Sequence, residues 1–291
     1  MSVHTAKIKK SEGMFRLIMR EMIGNKAAVL GSVLLLGLIL AAAFAPYLTP
    51  YDPIMDMHRP LQKVGSPGHL LGTDDYGRDL LTRMLYGTRI SLLAGLFVVS
   101  ISATIGTAVG LAAGYFGGWI DNLLMRIVDL LLGFPFFILA LVLMALLGPS
   151  LSNAMLALVL VSWISYARVA RSKVLSVREE NYVEAIRALG GSNTRIMFRH
   201  ILPNCLAPIV VQATLNVGGT ILTLAGLSFL GMGAQPPTPE WGAILSEGKQ
   251  FMRRAVHLTV VPGVAIVAVV MSLNLIGDAL RDALDPKVRK R

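Results

Sequence analysis

Charge is scarce in this sequence. Only 15% of its 291 residues are charged, against about 25% in a soluble domain. With 54% hydrophobic residues and a mean hydropathy of +0.64, that scarcity excludes an ordinary soluble globule. Cysteine is nearly missing too. Cys205 stands alone, so no internal disulfide can form, and a small buried apolar residue is its simplest reading. No GxxxxGK loop followed by Ser or Thr occurs, so the chain cannot hydrolyse ATP by itself. Zinc-ligand spacings, a serine nucleophile elbow and a dinucleotide loop are missing as well. By its motifs the chain is not an enzyme.

The net charge of +10 raises the question of nucleic acid. A nucleic-acid partner would need a basic stripe on a soluble fold. Here the cations sit in tails and loops between apolar runs, which the positive-inside rule explains better.

The apolar runs set an all-α membrane architecture. Residues 1–26 are polar, with Lys and Arg interleaved among Met14, Phe15, Leu17, Ile18 and Met22, and read as an amphipathic helix on the inner surface. The uncharged run that follows is long and lacks a small-residue cleavage site, so a span is expected over 27–45 and not a signal peptide. Residues 46–88 are rich in Pro, Asp and Gly and read as an external loop. A span follows near 90–115, with small residues throughout, including Gly106, Gly110 and Gly114. Small residues let helices approach closely in lipid.

The uncharged run 130–167 is too long for one span, and Gly148-Pro149-Ser150 divides it. Spans are expected over 123–147 and 152–170, the first kinked at Pro135. Two more fit 205–230 and 258–277, followed by a tail over 278–291. Six spans put the N-terminal segment, residues 168–200 and the C-terminal tail on one side. These hold 18 Lys and Arg, against 7 in the loops 46–88 and 233–257, so that side is cytoplasmic.

One polar stretch interrupts the apolar second half. Residues 178–204 carry Glu179, Glu180 and Glu184 with Arg178, Arg187, Arg195 and Arg199. Tyr182, Val183, Ile186 and Leu189 recur at helical spacing and predict one apolar face. Gly190-Gly191 stops that helix, since glycine takes the left-handed conformation freely. Ser192 or Asn193 caps a second helix whose apolar side is Ile196, Met197 and Ile201. Read alone, this is an amphipathic helix, a glycine elbow and a helix at a membrane surface.

Other patterns have bland readings. Asp74, Asp75 and Asp79 suggest a metal site, but Arg78 competes for the carboxylates, and a turn with a capped helix is the simpler reading. Arg126 and Asp129 read as a pair tying a helix end at the interface. Asp278 and Asp282 flank Arg281 as a paired helix end.

Four strings carry a family resemblance that covers about residues 15–288. Glu184-Ala185-Ile186, then Gly190, then Ile201-Leu202-Pro203-Asn204, resemble the EAA loop of ABC importer permeases. Ile186 stands where the family has its second Ala, and His200 where many members have Ile. Residues 70–81, continued by Arg83 and Gly87, resemble the string LGTDxxGRDxxSRxxxG of the second permease of peptide and nickel importers, with Thr82 in place of Ser. Residues 227–242 and 274–287 resemble two further strings in the family order.

The resemblance implies a type I ABC importer permease fold, with six transmembrane helices and a cytoplasmic coupling helix. It implies a second homologous permease subunit, two cytoplasmic ATPase subunits and an extracytoplasmic solute-binding protein. ATP and Mg would be bound by the ATPase subunits, with no cofactor in this chain. The expected location is the plasma membrane of a prokaryote, multi-pass, with both termini cytoplasmic. Glu184, Ala185 and Gly190 would carry the docking geometry, with Arg187 at the rim. Gln212, Thr214, Asn216, Thr220 and Thr223 are the polar side chains of the fifth span and the expected lining of a neutral path. Dipeptides or short oligopeptides are the expected cargo. Nickel or a metal–metallophore complex is the alternative, to which Trp163-Ile164-Ser165-Tyr166-Ala167-Arg168 gives a resemblance. A secondary carrier is the alternative of another class, and would need buried acid and histidine relays.

Overall fold

The structure, a computed structural model, describes residues 14–284. The outer parts of the expected terminal segments, 1–13 and 285–291, lie outside the described residues. Among the described residues the chain is all α, with no strand. Twelve helices are numbered in chain order. They begin with α1 (Met14–Gly24), α2 (Lys26–Ala43), α3 (Ala45–Leu48), α4 (Leu80–Phe116), α5 (Gly118–Leu132) and α6 (Phe136–Leu147). Then come α7 (Leu151–Arg178), α8 (Asn181–Ala188), α9 (Asn193–Arg195), α10 (Leu202–Phe229), α11 (Trp241–Gly248) and α12 (His257–Leu284). A π-helical turn, Ile196–Ile201, joins α9 to α10.

Five of these are long and apolar enough to cross a membrane: α2, α4, α7, α10 with its lead-in, and α12. The pair α5 and α6, bent by 89°, passes the same test only when its two helices are taken together. The bend falls where Gly133, Phe134 and Pro135 separate the two helices. Proline has no N–H to donate and clashes with the preceding turn, so the chain turns there instead of running straight through 123–147.

Helix ends are set by local chemistry. Asn25 accepts from the amides of Ala27 (3.0 Å) and Ala28 (3.3 Å) and starts α2. Ser150 accepts from the Asn153 amide (3.1 Å), and the Asn153 side chain returns to the carbonyls of Leu147 (2.7 Å) and Gly148 (3.0 Å), closing the turn between α6 and α7. Each bond satisfies a backbone group that a helix end leaves unpaired.

Two boundaries differ from the reading of the sequence. The loop expected over 46–88 ends at Asp79, because α4 starts at Leu80. At about 1.5 Å per residue its 37 residues run to about 55 Å, well beyond a hydrocarbon core of about 30 Å. The tail expected from 278 is helical through Leu284, as the last turns of α12. Two expected ion pairs are also not made. Arg126 does not bond Asp129, and Arg281 bonds neither Asp278 nor Asp282, among the described residues. Asp121 instead takes a bidentate pair from Arg171 (2.5 and 2.7 Å), joining α5 to α7.

The most extensive packing is between α4 and α7, with α10 lying against both and α12 joining α10 to α2. Tyr166, Val174, Ile196, Ile201 and Ile221 are buried in the main core. Gly106, Gly110 and Gly114 recur every fourth residue and set the α4–α7 distance: Cβ atoms on the first two would run into the carbonyl oxygens of Trp163 and Ala167.

Candidate functional site

The polar stretch folds as a short helix hung between α7 and α10. Val183 is fully buried and anchors α8, while Glu184, Ala185 and Arg187 are exposed. Glu184 lies in the first turn and Arg187 in the last, which suits the helix dipole at both ends. Gly190 then takes φ +80°, its amide donating to Arg187 O (3.0 Å) and the Gly191 amide to Ile186 O (3.0 Å). This reciprocal pair is a Schellman stop. The elbow is fastened to the spans behind it. Tyr115 donates its hydroxyl proton to Asn193 Oδ1 (2.7 Å), and Arg178 donates to the carbonyls of Gly114 (3.0 Å) and Tyr115 (3.2 Å).

The expected apolar face of this helix is only half right. Val183 and Ile186 turn inward, but Tyr182 is 42% exposed and Leu189 is 87% exposed. Leu189 is the C-cap residue, where the chain leaves the helix, so helical spacing no longer places it. The outward surface of α8 therefore combines Glu184, Ala185 and Arg187 with an exposed leucine. Beyond the elbow, Ser192 accepts from the Arg195 amide at 3.4 Å, and Ile196, Met197 and Ile201 are buried as expected. Their turn is π-helical, a widening that the sequence pattern does not signal.

At the other end of the molecule, residues 70–87 form a lock. Asp79 starts α4 by accepting from the Thr82 amide (2.8 Å) and hydroxyl (2.7 Å), and its other oxygen meets His69 Nδ1 (2.9 Å). Asp74, Asp75 and Glu247 bring carboxylate oxygens within 4.8 Å of one another, so the acidic convergence is real but involves Glu247 and not Asp79. Two guanidinium groups lie against it. Arg78 reaches Asp74 (2.7 Å) and Glu247 (3.0 Å), and Arg83 reaches the same two at 2.6 Å each. The string is thus a set of buried ion pairs that joins the loop, α4 and α11. Gly87 completes it, since a Cβ there would strike Pro239 O.

Asp75 sits at the edge of this lock. Burial pushes its carboxyl pKa up, and the neighbouring Asp74 charge adds to the effect. The folded protein thus holds this proton more tightly than the unfolded chain. Its contribution to stability is full below the ordinary carboxylate pKa of about 3.9 and is lost as pH rises through the raised value. Asp75→Asn is therefore expected to give a small rise in Tm at neutral pH, with no gain at pH 4, in a thermal unfolding series.

The expected path residues do not all share one face. Asn216, Thr220 and Thr223 line a groove walled by Ser162, Ser165 and Tyr166 of α7 and by Leu132, Phe134 and Phe136 at the α5–α6 bend. Asn216 donates to the Tyr166 hydroxyl at 3.0 Å across it. Gln212 lines the continuation of this groove towards α8, beside Ser172 and Ser176. Thr214 does not join them. It faces an apolar recess with Leu35, Leu92 and Leu273, and its hydroxyl is spent on Val210 O (2.9 Å). Two residues of the groove were not foreseen: Arg168 and Lys173 line its α8 end, so the lining is not neutral throughout. The signal was present as Ser162, Ser165, Ser172 and Ser176, a polar stripe at helical spacing in an apolar helix.

Comparison with known proteins agrees with this architecture. Residues 106–290 match the family described as binding-protein-dependent transport system inner membrane component. Residues 13–63 match the N-terminal TM domain of oligopeptide transport permease C. The dipeptide transport system permease protein DppC of Escherichia coli K12 is 49% identical over 272 residues, covering 91% of each chain. DppC of Alkalihalophilus pseudofirmus is 47% identical, over 94% of this chain and 90% of its own. The glutathione transport system permease protein GsiD of Pectobacterium atrosepticum is 43% identical, over 94% of this chain and 92% of its own. Among solved structures, the MetNI methionine ABC transporter in an inward-facing form superposes with a TM-score of 0.52. It is 22% identical and covers 69% of this chain and 98% of that one, which speaks for the fold. The chain belongs to the binding-protein-dependent transport system inner membrane component family, as an integral membrane permease subunit.

Proposed function

We propose that this permease forms one half of the channel of an ATP-driven importer for dipeptides or short oligopeptides. The observation that carries the reading is α8: a helix anchored by buried Val183, exposing Glu184, Ala185 and Arg187, and stopped by Gly190 in the left-handed region. Such an element offers a rigid grip to a partner in water while resting on the end of α7, the π-helical turn and the start of α10. The partners are a homologous second permease, two ATPase subunits that bind ATP and Mg, and an extracytoplasmic solute-binding protein. The asymmetry of 18 against 7 cations supports placing α8 and both termini in the cytoplasm. The peptide cargo is supported by the dipeptide names of relatives at 47–49% identity.

In this scheme ATP binding draws the ATPase subunits together, and α8 passes that motion to the spans through buried Val183 and the Asn204–Tyr182 bond, and beyond the elbow through the Tyr115–Asn193 bond. The groove between α7 and α10, with Gln212, Asn216, Thr220 and Thr223, lines the path. The carrier alternative has little support. Among the described residues, the buried charges Asp74, Arg78, Asp79 and Arg83 gather at the lock, Glu240 caps α11, and none forms a relay along the spans.

The test is reconstitution with the second permease, the ATPases and the binding protein. Gly190→Pro forces φ to about −65° where +80° is needed. It is expected to reduce binding-protein-stimulated ATP hydrolysis to the basal level. Glu184→Ala, on an exposed position, is expected to weaken ATPase assembly by about 1 kcal/mol or more, as for an interface anchor. Normal assembly and stimulation in both variants would make α8 an ordinary surface helix and return the carrier reading.

A further inference from the structure

The α7–α10 groove changes character along its length. Its two halves meet at Leu132 and Ser165. The half beside the α5–α6 bend is neutral, with Ser162, Tyr166, Asn216, Thr220 and Thr223 among its polar groups. The half towards α8, about 750 Å³ in volume, adds Arg168 and Lys173 to Ser172, Ser176 and Gln212. No acidic side chain lines either half.

The four cations of the last turns of α7 are sorted by direction. Arg171 is paired with Asp121, and Arg178 is bonded to the carbonyls of Gly114 and Tyr115. Arg168 and Lys173 have no ion pair among the described residues, and both line the groove. A simple excess of inner-surface charge gives no reason for the two hydrogen-bonded cations to face the neighbouring helices and the other two to face the groove. A groove lined by one sign of charge between apolar walls concentrates counter-ions. A guanidinium and an ammonium lining one groove, with two serine hydroxyls and an amide, supply several donors for a carboxylate.

We propose that the α8 end of the groove is an anion subsite that takes a carboxylate of the peptide in transit, terminal or side chain. This rests on the importer reading above. A zwitterionic peptide then travels with its carboxylate leading towards α8, since the same cations repel its ammonium group. Peptides with an extra acidic side chain gain there and those with a basic one lose.

The experiment is uptake of Ala-Glu and Ala-Lys by the complete complex with its binding protein, in phosphatidylcholine vesicles with and without anionic lipid. The readout is the ratio of the two kcat/KM values, in which a common loss of assembled complex cancels and which is corrected for the binding protein's own affinities. Lys173→Gln together with Arg168→Gln is expected to lower the Ala-Glu to Ala-Lys ratio about tenfold, Lys173→Gln alone to lower it less, and Lys173→Glu to invert the preference. Lys173→Arg is expected to keep the wild-type ratio. A ratio unchanged in Lys173→Gln and Lys173→Glu overturns the subsite. A change that needs anionic lipid and vanishes in phosphatidylcholine also overturns it, and assigns the two cations to lipid phosphates. A wild-type complex that takes up neither peptide overturns the importer reading itself.

Discussion

Gly110→Leu is expected to leave almost no assembled permease in a detergent extract. Gly106, Gly110 and Gly114 form a stripe on α4 that lies against the backbone of α7. A Cβ at Gly110 would overlap Ala167 O and would lie 2.7 Å from Ala170 Cβ and 2.8 Å from the Arg171 amide nitrogen. At Gly114 it would meet Val174 Cβ at 2.9 Å. Flexible side chains could yield to such contacts, but helix backbone cannot, so the two helices must separate. Overpacking a core that can adapt costs about 1–3 kcal/mol, and a backbone collision belongs above that range. In lipid the loss is not recovered elsewhere, because helix association there depends on close packing and interhelical hydrogen bonds. Separation would also release Arg178 from the carbonyls of Gly114 and Tyr115, and with it the seat of α8. Gly110→Ala should show a graded form of the defect in Tm by size-exclusion melting. Gly37→Ala is the control, since a Cβ there meets nothing within 4 Å, and it should melt like wild type. A Gly110→Leu protein that assembles normally would mean that α4 and α7 are not in backbone contact.

The sequence announced that stripe by its spacing, though not its partner. Much of the fold was legible in the same way, because lipid imposes simple rules. The apolar runs must be helices, and Gly148-Pro149-Ser150 and Pro135 break them where proline and glycine chemistry requires. The start of α4 was hidden for a specific reason. The capped helix after Asp79 was expected, but Arg78 and Arg83 counted among the cations of the loop 46–88, which put the start of the span near residue 90. In the structure Arg83 is fully buried, its charge answered by Asp74 and by Glu247 from far along the chain. A partner at that sequence distance leaves no local pattern.

The groove was partly legible. Gln212, Asn216, Thr220 and Thr223 follow helical spacing, while Thr214 falls nearly opposite Gln212 at about 100° per residue. Grouping all five by polarity ignored that angle. The serine stripe of α7 follows the same rule. Which two polar stripes face each other is a matter of tertiary packing, and so the two cations at the end of the α7 stripe read as ordinary inner-surface charge. The elbow at Gly190 was readable because a Schellman stop is purely local, whereas Leu189 left the apolar face only because the helix had already ended.

Arg83→Met is expected to be the most destabilising single change outside the helix contacts. The side chain is 0% exposed and sits 2.6 Å from both Asp74 and Glu247. Removing it leaves those two carboxylates, with Asp75 close by, to share Arg78 alone. Breaking a buried pair in this way costs about 3–5 kcal/mol, because a charge is left buried without its partner. At about 2–4 °C per kcal/mol in a chain of this size, Tm should fall by roughly 10 °C. Glu247→Gln in the same protein should restore part of the loss, since it removes the charge that Arg83 had answered, and a double-mutant cycle reads that coupling directly. The cost matters beyond stability. Asp74 belongs to the loop before α4, Arg83 to α4 and Glu247 to α11, and α11 in turn lies against α10 and α12. Apolar contacts alone would let these elements slide, whereas paired charges at fixed distances hold one register. The lock therefore sets the C-terminal end of the same α10 whose Gln212, Asn216, Thr220 and Thr223 line the groove. Arg83→Met should lower transport more steeply than it lowers the amount of folded complex, measured as uptake per assembled permease. If uptake per complex is unchanged while Tm falls, the lock serves stability alone and the C-terminal end of α10 moves independently of it.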